Sequence, residues 1–416
     1  MCAALGAACG TIPNDGDAGT GGGAATGGGA ATGGGAATGG GAATGGGAAT
    51  GGGSATGGGS ATGGGSATGG GSATGGGAAT GGGAATGGGA ATGGGAATGG
   101  GTATGGGSGQ DGGMGSDAGV LRPEDEGPVM VRRVTRTLAV GSGRQVALTV
   151  FIPQAANAPV VVLHPGFQLA GSQYESYARH LATRGVVGVI ADPPDALLGG
   201  PTHAELASYL GRVLDWVSTE SADGGLAGVA DPSRLIVGGH SMGGKISLLL
   251  ATTDARPRGV FAIDPVDAAG GPLTQPGPDY PSVTPELMGN LRVPLALVGE
   301  TVNATCSGAF CQACAPAAEN FQQYSTRATS PAVELELVGA NHMSFLDDPN
   351  CGFTCSACTP GTANNAEVRR LTRRSLTAFV DLVLRNDASA RDWLAGSATA
   401  ADVMDGGLRV RTFNGF

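Results

Sequence analysis

The clearest chemistry in the chain lies in residues 235–250. A short apolar run, Leu235-Ile236-Val237, enters Gly239-His240-Ser241-Met242-Gly243 and leaves through Gly244-Lys245-Ile246 into a helix-compatible stretch. A strand, a Gly-x-Ser-x-Gly turn and a helix together form a nucleophile elbow. The turn is sharp, so the positions two before and two after the serine must be small, and both are Gly. Such a turn lifts the hydroxyl of Ser241 clear of the sheet. It also leaves the amide of Met242 at a helix N-terminus, where a developing negative charge is stabilised. Nucleophilic attack on an acyl carbonyl is the chemistry this arrangement serves. An ordinary Gly-rich turn in a non-catalytic α/β protein is the bland alternative.

A serine nucleophile needs a base, and the chain has 5 histidines. His180 and His203 fall in helical stretches and read as solvated or core-edge residues. His164 ends an apolar run just before Pro165-Gly166-Phe167, the loop that would give the second oxyanion donor through Phe167, beside Met242. It therefore reads as shaping that loop. His240 adjoins Ser241 and should point away from it. His342 follows the last apolar run, where the chain order Ser, acid, His places the base. The acid must accept a hydrogen bond from that imidazole. Asp264, with Asp267 three residues on, and Glu300 each follow a strand-like run, and the residues alone do not separate Asp264 from Glu300.

These residues need a scaffold. Arg132–Val140 and Gln145–Ile152 alternate as an opening antiparallel pair. Val160–Leu163 is a continuous apolar run, as a strand buried on both faces should be, and Val186–Ala191, Leu235–Val237, Val260–Ile263, Val293–Val298 and Ala332–Val338 read as further strands. Between them Tyr174–Thr183 is helix-compatible, and Leu206, Leu210, Val213, Leu214 and Val217 share one helix face. A Pro/Gly-rich insertion spans Gly270–Gly289, and Val368–Leu384 closes as an amphipathic helix. Parallel strands alternating with helices, with the serine after the third parallel strand, predict an α/β class and an α/β-hydrolase fold. The sheet should be mostly parallel and flanked by helices, over residues 117–390, with 391–416 as a C-terminal extension.

Composition divides the chain. Of its 416 residues 85 are Gly, most of them before residue 116. Residues 20–116 are low-complexity, and from Thr20 to Thr104 a Gly-Gly-Gly-Ala/Ser-Ala-Thr unit repeats without charge, aromatic or large aliphatic residue. It cannot offset its ordering entropy by burial, so composition predicts a disordered, Gly-rich tether. Collagen would need Gly at every third position with Pro, and a hexapeptide β-helix a bulky aliphatic per turn. A net charge of −10 without a Lys/Arg stripe argues against nucleic acid as partner. No apolar run approaches the ~20 residues of a membrane span.

Residues 1–19 include Leu5-Gly6-Ala7-Ala8-Cys9, which resembles the end of a bacterial lipoprotein signal. The expectation is an extracytoplasmic protein, secreted or held to a bacterial membrane through a lipidated Cys2 or Cys9. Two further clusters, Cys306, Cys311, Cys314 and Cys351, Cys355, Cys358, suit three disulfides in an oxidising compartment, with the pairing left open. Cys311-x-x-Cys314 and Cys355-x-x-Cys358 also have zinc-ligand spacing. Six thiols exceed what one four-coordinate ion needs, which favours disulfides and no metal.

Four segments occur together in the order and spacing of the chlorophyllase family: Gly239-His-Ser-Met-Gly-Gly-Lys245, Ile263-Asp-Pro-Val-Asp267, Cys314-Ala-Pro316 with Asn320-Phe321, and His342-Met-Ser-Phe-Leu-Asp-Asp348. The likeness runs from about Val160 to Leu384. It implies a serine carboxylic-ester hydrolase with Ser241, Asp264 and His342 as triad, an acyl-enzyme intermediate and no cofactor. The family also resembles cutinase-like polyester hydrolases, and two features lean that way. Met242 stands where plant chlorophyllases usually carry Arg, and Pro165-Gly166-Phe167 resembles the polyester hydrolases' oxyanion loop. The substrate is then a small-molecule or polymeric ester. An inactive, surface-tethered binding module on the same fold is the alternative of a different class.

Overall fold

Buried β-branched runs build the sheet that positions the site. The computed structural model describes residues 121–194, 199–269, 274–306 and 313–416, together with the backbone of short segments inside the repeat. Residues 119–416 form one compact unit and residues 1–118 another. In the first of these, nine strands are β1 (Val131–Gly141), β2 (Arg144–Pro153), β3 (Ala158–His164), β4 (Val187–Asp192), β5 (Ala230–His240), β6 (Gly259–Ile263), β7 (Leu295–Glu300), β8 (Ala332–Leu337) and β9 (Leu408–Phe413). They lie in the order β1-β2-β4-β3-β5-β6-β7-β8-β9. Neighbours from β4 to β8 run parallel, while β1, β2 and β9 join antiparallel. This is the mostly parallel, helix-flanked sheet of an α/β-hydrolase fold.

The period-2 alternation of a strand divides each buried run between two cores. Val160 and Val162 of β3 face one core, with α2 (His203–Ala222) and α3 (Met242–Ala251) packed over it. Val161 and Leu163 face the other, covered by α1 (Glu175–Thr183) and the helix Asn365–Leu384. α2 starts on a capping box, in which the Thr202 side chain accepts from the Glu205 amide and the Glu205 side chain accepts from the Thr202 amide.

Two differences from the sequence expectation concern the ends. Ala332–Val338 reads as the last strand, yet β9, from the stretch set apart as a C-terminal extension, pairs along all of β8. Leu-Arg-Val-Arg-Thr-Phe does alternate. Its Arg409 and Arg411 pair with Glu336 and the buried Glu334 of β8, so charge guards an exposed sheet edge. In the repeat, where composition predicts a coil, the Ala/Ser-Ala-Thr triplets are three-residue strands. Each pairs in parallel with the triplet two repeats on, forming two eight-stranded sheets. Backbone pairing at ladder spacing needs no bulky side chain, and the strict repeat supplies a partner in register for every triplet. Cys2, Cys9 and Cys311 lie outside the described residues. No helix among those described is long and apolar enough to cross a membrane.

Candidate active site

Ser241, Asp264, His342 and the Phe167 loop all stand at the C-terminal ends of parallel strands, the edge where open α/β sheets carry their sites. Ser241 sits between β5 and α3 with φ 54° and ψ −122°, a conformation that costs a non-Gly residue energy and that the elbow imposes. The glycine pattern has a direct cause. A Cβ on Gly239 would lie 2.3 Å from the His164 carbonyl oxygen, and one on Gly243 2.0 Å from the same atom. The elbow is pressed against the end of β3, and only glycine lets it approach.

His342 Nε2 lies 2.8 Å from Ser241 Oγ, and His342 Nδ1 lies 2.6 Å from Asp264 Oδ2. Asp264 is fully buried and His342 nearly so. Of the two acids that sequence left open, Asp264 is the one within hydrogen-bond distance of the imidazole. The Glu300 carboxylate instead accepts from the amides of Val302 and Asn303. The Asn303 side chain in turn accepts from the His342 amide at 2.8 Å and donates to the Thr359 carbonyl at 3.0 Å. Asn341 donates to the same Thr359 carbonyl at 2.9 Å. Glu300 therefore holds the backbone that carries the histidine. The loop that carries His342 is also fixed to α1, where the Ser176 amide donates to Asp347 at 2.9 Å and the Tyr177 hydroxyl to the Phe345 carbonyl at 2.6 Å.

Burial works against charge throughout the site. It lowers His342 to about 4 and pushes the Asp264 carboxyl well above its usual range, against the backbone N–H of Glu300, which holds it down. The 2.6 Å contact opposes both effects, so the two titrate as one unit. Burial, with the neighbouring Asp264 charge, raises Glu300 to about 8. Lys245 is fully buried on α3, 3.1 Å from Asp267. Asp267 accepts from the amides of Val283 and Thr284, so this pair clamps the insertion onto the elbow helix. Breaking such a pair leaves a lone buried charge, at a cost of about 3–5 kcal/mol.

The remaining histidines are all buried, His180 and His203 included, against the solvated or core-edge reading. His180 Nε2 lies 2.8 Å from the Pro123 carbonyl and 3.1 Å from Thr377 Oγ1, which explains how a helix-face imidazole can go inside. His164 donates to the Pro165 carbonyl at 2.8 Å and so shapes the loop before Phe167. His240 does turn away from Ser241, towards Tyr174 and the His342 carbonyl. Tyr174 and Asn303 were not legible as site residues, because their partners are distant in sequence.

Cys314 is bonded to Cys358 and Cys351 to Cys355, and Cys306 is also disulfide-bonded. The zinc reading falls, since Cys314, Cys355 and Cys358 have no thiolate to offer. Cys314–Cys358 links the loop after β7 to the segment that ends at Thr359, beside the histidine loop. Disulfides of this kind fit an oxidising compartment.

A serine on a strained turn after the third parallel strand, a carboxylate after the fourth and a histidine after the last define a protein of the α/β-hydrolase type. The chlorophyllase family model matches residues 127–403, more than half of the chain, and the chain belongs to that family. It is 26% identical to Chlorophyllase-1 of Arabidopsis thaliana over 241 residues, which is 54% of this chain and 72% of that protein. The relation suggests an esterase.

Proposed function

We propose that this protein is a serine carboxylic-ester hydrolase that works through an acyl-enzyme. One observation carries the reading: His342 bridges Ser241 at 2.8 Å and Asp264 at 2.6 Å, within a buried site. Asp264 accepts a hydrogen bond from the Nδ1–H of His342, which holds the tautomer whose Nε2 lone pair faces the serine proton. Ser241 Oγ attacks the ester carbonyl, and the oxyanion is met by the amides of Phe167 and Met242. The close approach of the first loop supports that role, because a Cβ on Gly166 would lie 3.3 Å from Ser241 Cβ. His342 then protonates the leaving alcohol. Water, deprotonated by the same imidazole, releases the acid.

A panel of short acyl p-nitrophenyl esters, chlorophyll and a polyester film tests the reading and sorts substrate classes. Turnover of at least one ester that disappears in Ser241→Ala is the expected result. An inactive wild type would favour a binding module instead. Met242 and Phe167 at the oxyanion positions favour a polymeric ester within the panel.

A further inference from the structure

His240 and Tyr174 form a buried line across the site that the reaction just described does not use. Gly166 N donates to Tyr174 Oη at 3.2 Å, Tyr174 Oη lies 2.9 Å from His240 Nδ1, and His240 Nε2 lies 2.9 Å from the His342 carbonyl oxygen. Tyr174 is 2% exposed and His240 0%. The direction of each hydrogen bond follows from chemistry. A carbonyl can only accept, so His240 Nε2 carries a proton and donates it. Burial keeps the ring neutral, which makes Nδ1 the acceptor of the Tyr174 hydroxyl. The tyrosine oxygen keeps a lone pair for the Gly166 amide. All three polar groups are thereby satisfied by one another.

The two ends of this line are the two halves of the site. Gly166 precedes Phe167 in the oxyanion loop, and the His342 carbonyl belongs to the residue that acts as base. The ring of His240 also packs 4.6 Å, centre to centre, from that of His342. A Cβ on Gly166 would come within 3.1 Å of His240 Nδ1, so the loop rests directly on the strut.

We infer that His240 is a positioning residue that, through Tyr174, fixes the spacing between the oxyanion loop and the catalytic histidine. The inference rests on the serine-hydrolase reading. Loosening the strut should misplace acceptor and base relative to each other, which penalises the transition state more than substrate binding.

The test uses the full chain and a p-nitrophenyl ester, with kcat, KM and Tm measured for Tyr174→Phe, His240→Leu, His240→Gln and the double variant Tyr174→Phe/His240→Leu. Each of the first two should lower kcat about 10- to 100-fold with KM within about threefold. The double variant should lose little more than the worse single, because both break one line. His240→Gln should recover most of the rate, since its amide can donate to the His342 carbonyl and accept from Tyr174. Additive losses, a change in KM alone, or a Gln variant no better than Leu would overturn the strut. If His240→Leu fails to fold, Tyr174→Phe decides alone, as it removes one oxygen and keeps the ring. An active wild type whose Tyr174→Phe keeps full kcat overturns the strut only; a wild type without esterase activity overturns the hydrolase reading and the strut with it.

Discussion

Replacing Asp264 by Asn separates the acid from its neighbour Glu300 more sharply than any other change. The variant keeps size and shape in a fully buried position, so the fold should survive. Two losses follow at the 2.6 Å contact with His342 Nδ1. An amide can donate as well as accept, and the tautomer with a proton on Nε2 then has no lone pair facing Ser241. The imidazolium formed during attack also loses a partner charge. At an effective dielectric of about 20 and a charge separation of about 4 Å, that attraction is worth roughly 4 kcal/mol. This alone corresponds to about 10³ in rate, and the wrong tautomer brings the total to about 10⁴. Glu300→Gln should cost less than about tenfold, because the Gln oxygen can still accept one of the two loop amides and Asp264 is untouched. Steady-state kinetics on a soluble ester, with circular dichroism to confirm the fold, provides the comparison. A Glu300→Gln loss larger than that of Asp264→Asn would refute the assignment of the acid.

Three further outcomes are expected. Glu300 is raised from 4.5 to about 8, so its neutral form is favoured in the folded protein; the advantage is present below pH 4.5 and lost as pH rises through 8. Tm of Glu300→Gln relative to wild type should therefore climb between about pH 4.5 and pH 8 and level off above, and a flat difference would contradict this. Replacing both Cys314 and Cys358 by Ala opens a link between residues 44 apart, which the loop-entropy relation values at about 4 kcal/mol. Calorimetry should show a clear drop in Tm with a smaller fall in kcat, whereas an unchanged Tm would remove the bridge from the stability account. A chain beginning at Gly119 retains the whole compact unit of residues 119–416 and should keep kcat on a soluble ester within about twofold; a large loss would give the repeat a part in catalysis.

What sequence made legible was local. The elbow announced itself because strand, turn and helix are contiguous, and the small residues it demands fall at fixed offsets from Ser241. Parallel strands such as β3 were visible because burial on both faces leaves an unbroken apolar run. Asp264 was identified only through resemblance, since the choice against Glu300 depends on which carboxylate reaches His342 across 78 residues of chain. The same holds for His240, whose partner carbonyl is 102 residues away, and for the Cys314–Cys358 pairing. The final strand was missed despite its alternation, because its two arginines read as surface until Glu334 and Glu336 supply their partners. In the repeat, composition argued from side-chain burial, and the observed strands rest on backbone pairing alone.

The central claim is covalent, and mass spectrometry reads it directly. Mixing the protein with a p-nitrophenyl ester and quenching in acid within milliseconds should yield a chain heavier by one acyl group, with a burst of one p-nitrophenol per molecule. Peptide mapping should place the group on Ser241, and Ser241→Ala should give neither adduct nor burst. An acyl group on another residue, or turnover that persists in Ser241→Ala, would contradict the account.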